Sequence, residues 1–128
     1  IRAFIHFKMS KYMHPTRIEV GVDYFGVAFD SEALKLSDKG ISTKILVLGA
    51  ILGEEIEELI LRRVEITLSS PFKADLVEKV CKRLGEKCRV PLEVDTGMPR
   101  TGMKVHTAEK LFEKLKNVLK VLISHLIL

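Results

Sequence analysis

Five side chains able to take part in chemistry stand at or near the ends of apolar runs: Lys8, Tyr12, His14, Arg100 and His125. The first of them, Lys8, ends the apolar run of "AFIHFKMSKYMHP". A lysine amine surrounded by apolar groups loses hydration, its pKa falls, and it becomes a nucleophile that can form a Schiff base. The alternative for Lys8 is a lysine that only ends a strand at the solvent edge, since few lysines meet the criteria for a functional site.

Two more of these candidates carry hydrogen-bond donors that suit an anionic ligand, and the last is a histidine in an apolar run. Tyr12 and His14 follow Lys8 at spacings of four and six, and either side chain could donate a hydrogen bond to a phosphate. Their alternative is a pair of surface side chains in a loop between a strand and a helix. His125 lies in the apolar run "LISHLIL", where a lone histidine is more often a satisfied core residue.

The stretch "PLEVDTGMPRTGM" holds the most suggestive residue, Arg100. Gly97 and Gly102 allow a sharp turn or a close approach to a ligand, and Pro99 stiffens the loop. A guanidinium held in this way presents a fixed fork of donors to an anionic oxygen. A salt bridge from Arg100 to Asp95 is the alternative.

Alternating strand-like and helix-like patterns must position these residues. Strand-like apolar runs cover residues 3–7, 24–29, 44–48, 64–68, 90–94 and 118–126. Between most of them apolar residues recur with helical spacing: Ile56, Leu59 and Ile60; Leu76, Val77, Val80, Cys81 and Leu84; and Leu111, Leu115 and Val118. The predicted N-caps are Ser70 before Pro71, Asp30 and Thr107, and the predicted C-cap glycines are Gly40 and Gly85.

This alternation predicts an α/β protein built from right-handed strand–helix–strand units. Its β-branched, apolar runs favour parallel strands that are covered on both faces. Two architectures fit: an open doubly wound sheet, and part of a (β/α)8 barrel with about six parallel strands and intervening helices. The glycine-rich fingerprint of dinucleotide-binding sheets does not follow the first strand. In both architectures functional groups gather at the carboxyl ends of the strands, where Lys8, Tyr12, Arg100 and His125 fall.

The composition of the 128-residue chain, 47% hydrophobic and 30% charged, indicates one globular domain. Its net charge is +4, but basic residues alternate with glutamates, which is typical of solvated helix faces and not of a nucleic-acid-binding stripe. Cys81 and Cys88 show no disulfide or zinc pattern, so we predict no metal site and a reducing, cytoplasmic compartment. We see no signal peptide, and the apolar C-terminal run is too short to span a bilayer, so we predict no membrane partner.

Taken in order, these motifs resemble the fold-type III, pyridoxal-phosphate-dependent alanine racemases over nearly the whole chain. "VDTGMPRTGM" resembles the strand-five signature of that family, "FKMSKYMH" its cofactor-lysine motif and "LISHL" its strand-six motif. The resemblance implies a pyridoxal 5'-phosphate cofactor, with Lys8 as its Schiff-base lysine and a catalytic base. It also implies that Tyr12, His14 and His125 bind the cofactor, and that Arg100, beside its phenolic oxygen, has both a binding and a catalytic role.

Several positions depart from the family pattern. Glu93 stands where many members carry a lysine, often carbamylated, that pairs with the arginine, and Met13 and Pro15 replace two glycines of the lysine motif. The segment after His14 is about six residues shorter than in the family, close to two helical turns. The resemblance further implies that residues 1–128 are the N-terminal, cofactor-binding barrel domain without strands seven and eight and without the C-terminal β-domain, which makes the chain an incomplete fragment.

The function implied by the resemblance is the interconversion of L- and D-alanine, an isomerase reaction of D-alanine and cell-wall biosynthesis. Alanine is then the substrate, and the partner is a second copy in a homodimer or a complementing fragment. The chain alone is expected to be inactive, because the tyrosine that serves the other face of the substrate is not part of it. The alternative function is a non-catalytic cofactor-binding remnant or an interaction module.

Overall fold

The computed structural model describes residues 4–6, 23–51, 53–97 and 101–123. The chain divides into two compact units, unit 1 over Ile1–Glu65 and unit 2 over Ile66–Leu128.

Unit 1 combines a sheet with two helices. Its elements are β1 (Phe4–His6), β2 (Tyr24–Val27), α1 (Asp30–Asp38), β3 (Lys44–Val47) and α2 (Ile56–Leu61), and the chain leaves it through β4 (Glu65–Ile66). The strands lie in the order β1–β2–β3–β4, and the β1–β2 and β2–β3 pairs are parallel. All four residues of β2 are buried, as expected for a parallel strand that is covered on both faces.

The core of unit 1 lies between this sheet and its helices. Helix α1 contacts β2, β3 and α2. Leu36 of α1 and Leu59 of α2 are buried together with Val27 and Val47, the last residues of β2 and β3. The predicted apolar face of Ile56, Leu59 and Ile60 is confirmed, since all three side chains are buried. Removing this apolar surface from water, at roughly 25 cal/mol per Å², is the main stabilising contribution to the unit.

Unit 2 contains the second half of the alternation. Its elements are α3 (Pro71–Leu84), β5 (Arg89–Leu92), α4 (Val105–Leu115) and β6 (Lys120–Ile123). Strands β5 and β6 pair in parallel, and Leu68 adds a parallel bridge to Leu92 on β5. Helix α3 contacts α4, and α4 contacts β6. The fully or almost fully buried side chains include Leu68, Ala74, Val77, Cys81, Val90, Leu92 and Leu115.

The predicted ends of α3 are confirmed. Ser70 is its N-cap, with the side-chain oxygen accepting the Lys73 backbone N–H at 3.2 Å, and Pro71 is its first residue. Gly85 is its C-cap, in the left-handed conformation with φ 68°. Gly40 also has a positive φ of 70°, and it lies one residue beyond the C-cap of α1.

Two predicted N-caps are wrong by one and three residues. Helix α1 includes Asp30 and is capped at Phe29, because the Glu32 carboxylate reaches back to accept the Phe29 N–H at 3.2 Å. Helix α4 is capped at Lys104 and already contains Thr107 in its first turn. The start of α4 is therefore set by the tertiary pairing of the segment that precedes the helix. The threonine at position 107 does not set it.

The segment predicted as a strand over residues 118–126 begins differently. The N–H groups of Val118 and Leu119 both donate to the carbonyl of Leu115, at 2.9 and 2.8 Å, so they close the last turn after α4. Val118 therefore lies outside both the strand and the helix face to which its spacing assigned it. Strand β6 starts at Lys120, and residues 124–126 lie outside the described residues.

The parallel α/β organisation is confirmed, but one continuous sheet of six strands is not. The described residues form a four-stranded sheet and a two-stranded sheet. Among the helices in the described part of the chain, none is both long and apolar enough to cross a bilayer. Within those same residues, no group of three or more His, Cys, Asp and Glu side chains is arranged to hold a metal ion.

Candidate functional site

The five residues predicted to bind the cofactor lie outside the described residues: Lys8, Tyr12, His14, Arg100 and His125. Their roles stay predictions. The structure does describe the frame on which position 100 stands, since residues 93–97 precede it and residues 101–103 follow it. This strand-five loop, residues 93–103, is the part of the candidate site with defined geometry.

The stem of the strand-five loop is closed by backbone hydrogen bonds. Val94 and Met103 form a parallel bridge. The Asp95 N–H donates to the Met103 carbonyl at 2.8 Å, and the Met103 N–H donates to the Glu93 carbonyl at 2.8 Å. The Gly97 N–H then donates to Asp95 Oδ1 at 2.9 Å, which turns the chain beyond the stem. The two ends of the loop are therefore held together on both sides of position 100.

The two loop glycines serve different purposes. Gly97 has φ 129°, a conformation that residues with a side chain rarely adopt. Gly102 packs directly on the end of the strand, since a Cβ atom at this position would lie 2.6 Å from the Asp95 nitrogen and 2.8 Å from the Val94 carbonyl carbon. The predicted need for glycine is confirmed, and at Gly102 its cause is contact with the protein's own backbone.

Glu93 is the buried acid at the base of this loop. It is 7% exposed, and its carboxylate accepts a hydrogen bond from the Thr101 hydroxyl. Its N–H donates to the Leu68 carbonyl at 2.9 Å, and its carbonyl accepts the Met103 N–H. A buried carboxylate is stable only when it is hydrogen-bonded and its charge is compensated. Glu93 therefore joins the end of β5 to the returning arm of the loop.

Lys73 supplies a positive charge for Glu93. It is the third residue of α3 and is only 7% exposed. Burial lowers the pKa of its ammonium group from 10.5 to about 8, against the opposing effect of the Glu93 carboxylate, which favours the charged form. Lys73, in the first turn of α3, therefore loses its proton at a lower pH than an ordinary surface lysine does.

Thr67 completes a set that we call the carboxyl-end cluster: Thr67, Lys73, Glu93 and Thr101. Thr67 is fully buried, and its Oγ1 has no hydrogen-bond partner among the described residues. The register pairs Leu68 with Leu92, so alternation places Thr67 and Glu93 together on the opposite face of the strands. Thr67 and Glu93 each come directly after a strand, β4 and β5, and Lys73 lies in the first turn of the helix that follows β4.

A second group of polar side chains, the amino-end cluster, lies in unit 1 and consists of Tyr24, Lys44 and Glu65. Each is the first residue of its strand. The Tyr24 hydroxyl donates to Glu65 Oε1 at 3.1 Å, and the Lys44 ammonium lies 5.3 Å from the centre of the Tyr24 ring. In parallel barrels the amino ends of strands serve stability and the carboxyl ends serve chemistry. We interpret this cluster as structural.

Sequence reasoning noted Glu93 only as a departure from a family pattern, and it missed Thr67 and Lys73. A usable signal existed for the lysine. Lys73 lies four residues before Val77 and eight before Cys81, so helical spacing puts it on the buried face of α3. The sequence carried no comparable signal for Thr67, whose unpaired hydroxyl depends on what surrounds it in space.

Comparison with known proteins identifies the family to which most of the chain is similar. Residues 9–128 match the family "Alanine racemase, N-terminal domain". The chain is 36% identical over 106 residues to the alanine racemase of Methanococcus maripaludis, covering 79% of this chain and 28% of that protein. The chain therefore spans a little over a quarter of the length of this curated relative.

Solved structures give the same answer. The alanine racemase of Clostridium difficile in complex with cycloserine superposes with a TM-score of 0.71 at 29% identity, covering 81% of this chain and 29% of that one. The histidine racemase of Leuconostoc mesenteroides superposes with a TM-score of 0.72 at 25% identity, covering 82% and 28%. Parallel strands, intervening helices and these neighbours fit part of a (β/α)8 barrel. The chain belongs to the alanine racemase N-terminal domain family.

Proposed function

We propose that this chain is the cofactor-binding part of a pyridoxal-phosphate-dependent racemase that interconverts L- and D-alanine. The observation that carries the proposal is the strand-five loop. Its racemase-like sequence is matched by a closed stem, a glycine packed on the strand end and a buried acid at its base. Such preorganisation is what a guanidinium needs if it is to be presented in one orientation.

The described residues fit an anionic cofactor at the carboxyl ends of the strands. Thr67 offers a buried hydroxyl whose oxygen has no partner among them, and Lys73 offers a buried positive charge. Both stand at the strand ends where ligands of parallel α/β proteins bind. A cofactor with phosphate and phenolate oxygens would therefore meet compatible charge and hydrogen-bonding groups on this face.

Each sequence-predicted residue has a role in this proposal. Lys8 would hold the aldehyde carbon of the cofactor and exchange the substrate Cα proton on one face. Tyr12 and His14 would hold the phosphate, His125 the pyridine ring and Arg100 the phenolic oxygen. The cofactor, when bound, supplies the electron sink that makes the Cα proton removable.

Glu93 and Lys73 extend the proposal beyond the family motif. The Glu93 carboxylate restrains the loop through Thr101 and supplies negative charge near the arginine position, in place of the lysine that many family members carry. Lys73 compensates part of that buried negative charge. With this charge balance, Arg100 would not be needed to neutralise Glu93 and could bind the cofactor.

The proposal also covers what the whole protein would be. In the whole protein, residues 1–128 would be the N-terminal domain of a (β/α)8-type barrel. The protein acts in the cytoplasm as a homodimer or with a complementing fragment. That partner supplies the base for the opposite face of Cα, and a positioned acid or base contributes about 10²–10⁴-fold to such reactions. The chain alone is therefore expected not to racemise alanine at ordinary enzyme rates.

Alanine is the proposed substrate, but the barrel does not set this preference by itself. A histidine racemase shares the architecture at similar coverage. The side chain of the substrate must therefore be selected by groups that differ between such proteins. A panel of amino acids, each tested with the chain and its complementing partner, would establish the order of preference.

Lys8 is tested directly by trapping the cofactor on the amine that holds it. Pyridoxal phosphate is added to the wild-type chain and to Lys8→Ala and Lys73→Arg variants, reduced with borohydride, and the labelled peptides are mapped. We expect the label on Lys8 in the wild type and in Lys73→Arg, and its loss in Lys8→Ala. Labelling of Lys73, or of many exposed lysines equally, would contradict the proposed site.

A further inference from the structure

Asp95 is a half-buried acid of the strand-five loop, three residues beyond the end of β5. Its carboxylate could pair with Arg100 as a counter-ion, or it could shape the loop. The Asp95 Oδ1 atom accepts the Gly97 N–H at 2.9 Å. Aspartate side chains commonly accept the N–H two residues further on, and this hydrogen bond closes a tight turn. Asp95 therefore has a defined hydrogen-bonding partner within the loop.

The backbone of Asp95 is fixed as well. Its N–H donates to the Met103 carbonyl at 2.8 Å, and its nitrogen lies so close to Gly102 that a Cβ atom there would come within 2.6 Å. Gly97 has φ 129°, so the chain changes direction at a residue that only glycine suits. Because the stem fixes the backbone of Asp95, its side-chain hydrogen bond determines where Gly97 stands.

A second side-chain hydrogen bond holds the opposite end of the loop. The Thr101 hydroxyl donates to the carboxylate of the buried Glu93. Only positions 98–100 separate Gly97 from Thr101 along the chain. Asp95 and Glu93 thus fix the two ends between which the arginine at position 100 must be presented, and this lowers the entropy that is lost when the loop binds a ligand.

A counter-ion role would use Asp95 in a different way. An arginine that is paired with a carboxylate has fewer donors left for another anion. Ion pairs in contact with solvent also contribute little to stability. The hydrogen bond from the Gly97 N–H needs an acceptor oxygen and not a charge, so an amide oxygen at position 95 would serve equally well. The two roles therefore make different demands on the side chain.

We propose that Asp95 is a positioning residue. Its carboxylate shapes the strand-five loop through the Gly97 N–H and thereby directs Arg100 towards the cofactor, and it is not the counter-ion of Arg100. The part of this inference that concerns Arg100 rests on the proposed function.

The test compares Asp95→Ala with Asp95→Asn, because asparagine keeps the acceptor oxygen and removes the charge. The dissociation constant of pyridoxal phosphate is measured from the imine absorbance, and exchange of the Gly97 amide hydrogen is measured by NMR without cofactor. We expect Asp95→Ala to weaken cofactor binding and to accelerate Gly97 exchange, each by about 2- to 10-fold, the range of one net hydrogen bond. Asp95→Asn should stay close to the wild type in both measurements.

Asp75→Ala is the matched control, since Asp75 also accepts one hydrogen bond, from the Lys114 ammonium at 2.7 Å. This variant should change neither measurement. In an Arg100→Ala background, Asp95→Ala should cause no further loss of cofactor affinity, because Asp95 acts through the arginine.

An Asp95→Asn variant as impaired as Asp95→Ala would show that the charge matters, and it would overturn the proposal. The same conclusion would follow if Asp95→Ala lowered the affinity equally with and without Arg100, or if it left Gly97 exchange unchanged. A wild-type chain that forms no imine on Lys8 would contradict the proposed function instead. Gly97 exchange would then still decide whether Asp95 shapes the loop.

Discussion

The amino-end cluster and the carboxyl-end cluster differ in how their charges and hydrogen bonds are balanced. In the amino-end cluster the Glu65 carboxylate accepts the Tyr24 hydroxyl, and the Tyr24 ring in turn lies beside the Lys44 ammonium. In the carboxyl-end cluster the pKa of Lys73 is lowered by burial and the Thr67 hydroxyl oxygen has no partner in the described part of the chain. The first arrangement stabilises a sheet. The second contains a buried ammonium group and a buried hydroxyl that lower the stability of the folded chain.

This difference follows the direction of the strands. Parallel strands bring all their carboxyl ends to one edge, where loops leave room for a ligand, and all their amino ends to the other edge, where side chains pack. Buried groups that are not fully compensated are destabilising unless something uses them. We therefore expect the amino-end cluster to stabilise the sheet and the carboxyl-end cluster to contribute to ligand binding.

The largest expected effect is a pH dependence that arises from Lys73. Its pKa is about 8 in the folded chain and 10.5 in the unfolded chain, so the unfolded chain binds more protons between these values. The free energy of unfolding therefore rises with pH across this window, by up to about 3 kcal/mol from this residue. Urea unfolding should be measured for the wild type and for Lys73→Met over this range. The free energy of unfolding of the wild type should rise with pH relative to that of Lys73→Met.

A matched control for this experiment lies on the same helix. Lys79 is exposed, and Lys79→Met should leave the slope of stability against pH unchanged. Parallel curves of the free energy of unfolding against pH for the wild type and Lys73→Met would contradict the assignment of Lys73 as a charged residue of the carboxyl-end cluster.

The next effect separates the two clusters by function. Thr101→Val and Tyr24→Phe each remove one hydroxyl donor from a buried carboxylate, so each should lower the free energy of unfolding by about 1–3 kcal/mol. Only Thr101→Val should also reduce the trapping of pyridoxal phosphate on Lys8, because only Thr101 belongs to the strand-five loop. Equal trapping in the two variants would erase the functional distinction between the clusters.

The smallest effect concerns Thr67. Thr67→Val replaces a buried hydroxyl that lacks a partner by a methyl group of similar size, so the chain without cofactor should be more stable by about 1 kcal/mol. Thr67→Ser keeps the hydroxyl and serves as the control for lost packing. If the hydroxyl binds cofactor, Thr67→Val should also bind pyridoxal phosphate more weakly. A less stable Thr67→Val would show that the hydroxyl has a partner within the folded chain.

The candidate site was predictable only where a local motif carries it. The strand-five motif predicted a constrained loop, and the closed stem and the conformation of Gly97 confirm this prediction. The cofactor roles of Lys8, Tyr12, His14, Arg100 and His125 stay predictions. Glu93 was visible as an unusual residue, but its hydrogen bond to Thr101 and its compensation by Lys73 needed three-dimensional contacts.

The sequence by itself determined the features that depend on neighbours along the chain. The alternation of strands and helices, the Ser70–Pro71 start of α3 and its Gly85 end all follow from short-range sterics and hydrogen bonding. Tertiary structure decided the rest, as at Gly102 on the Asp95 backbone and at Lys73 beside Glu93. These contacts arise because packing brings together groups whose separation along the chain carries no local signal, and burial then changes their chemistry.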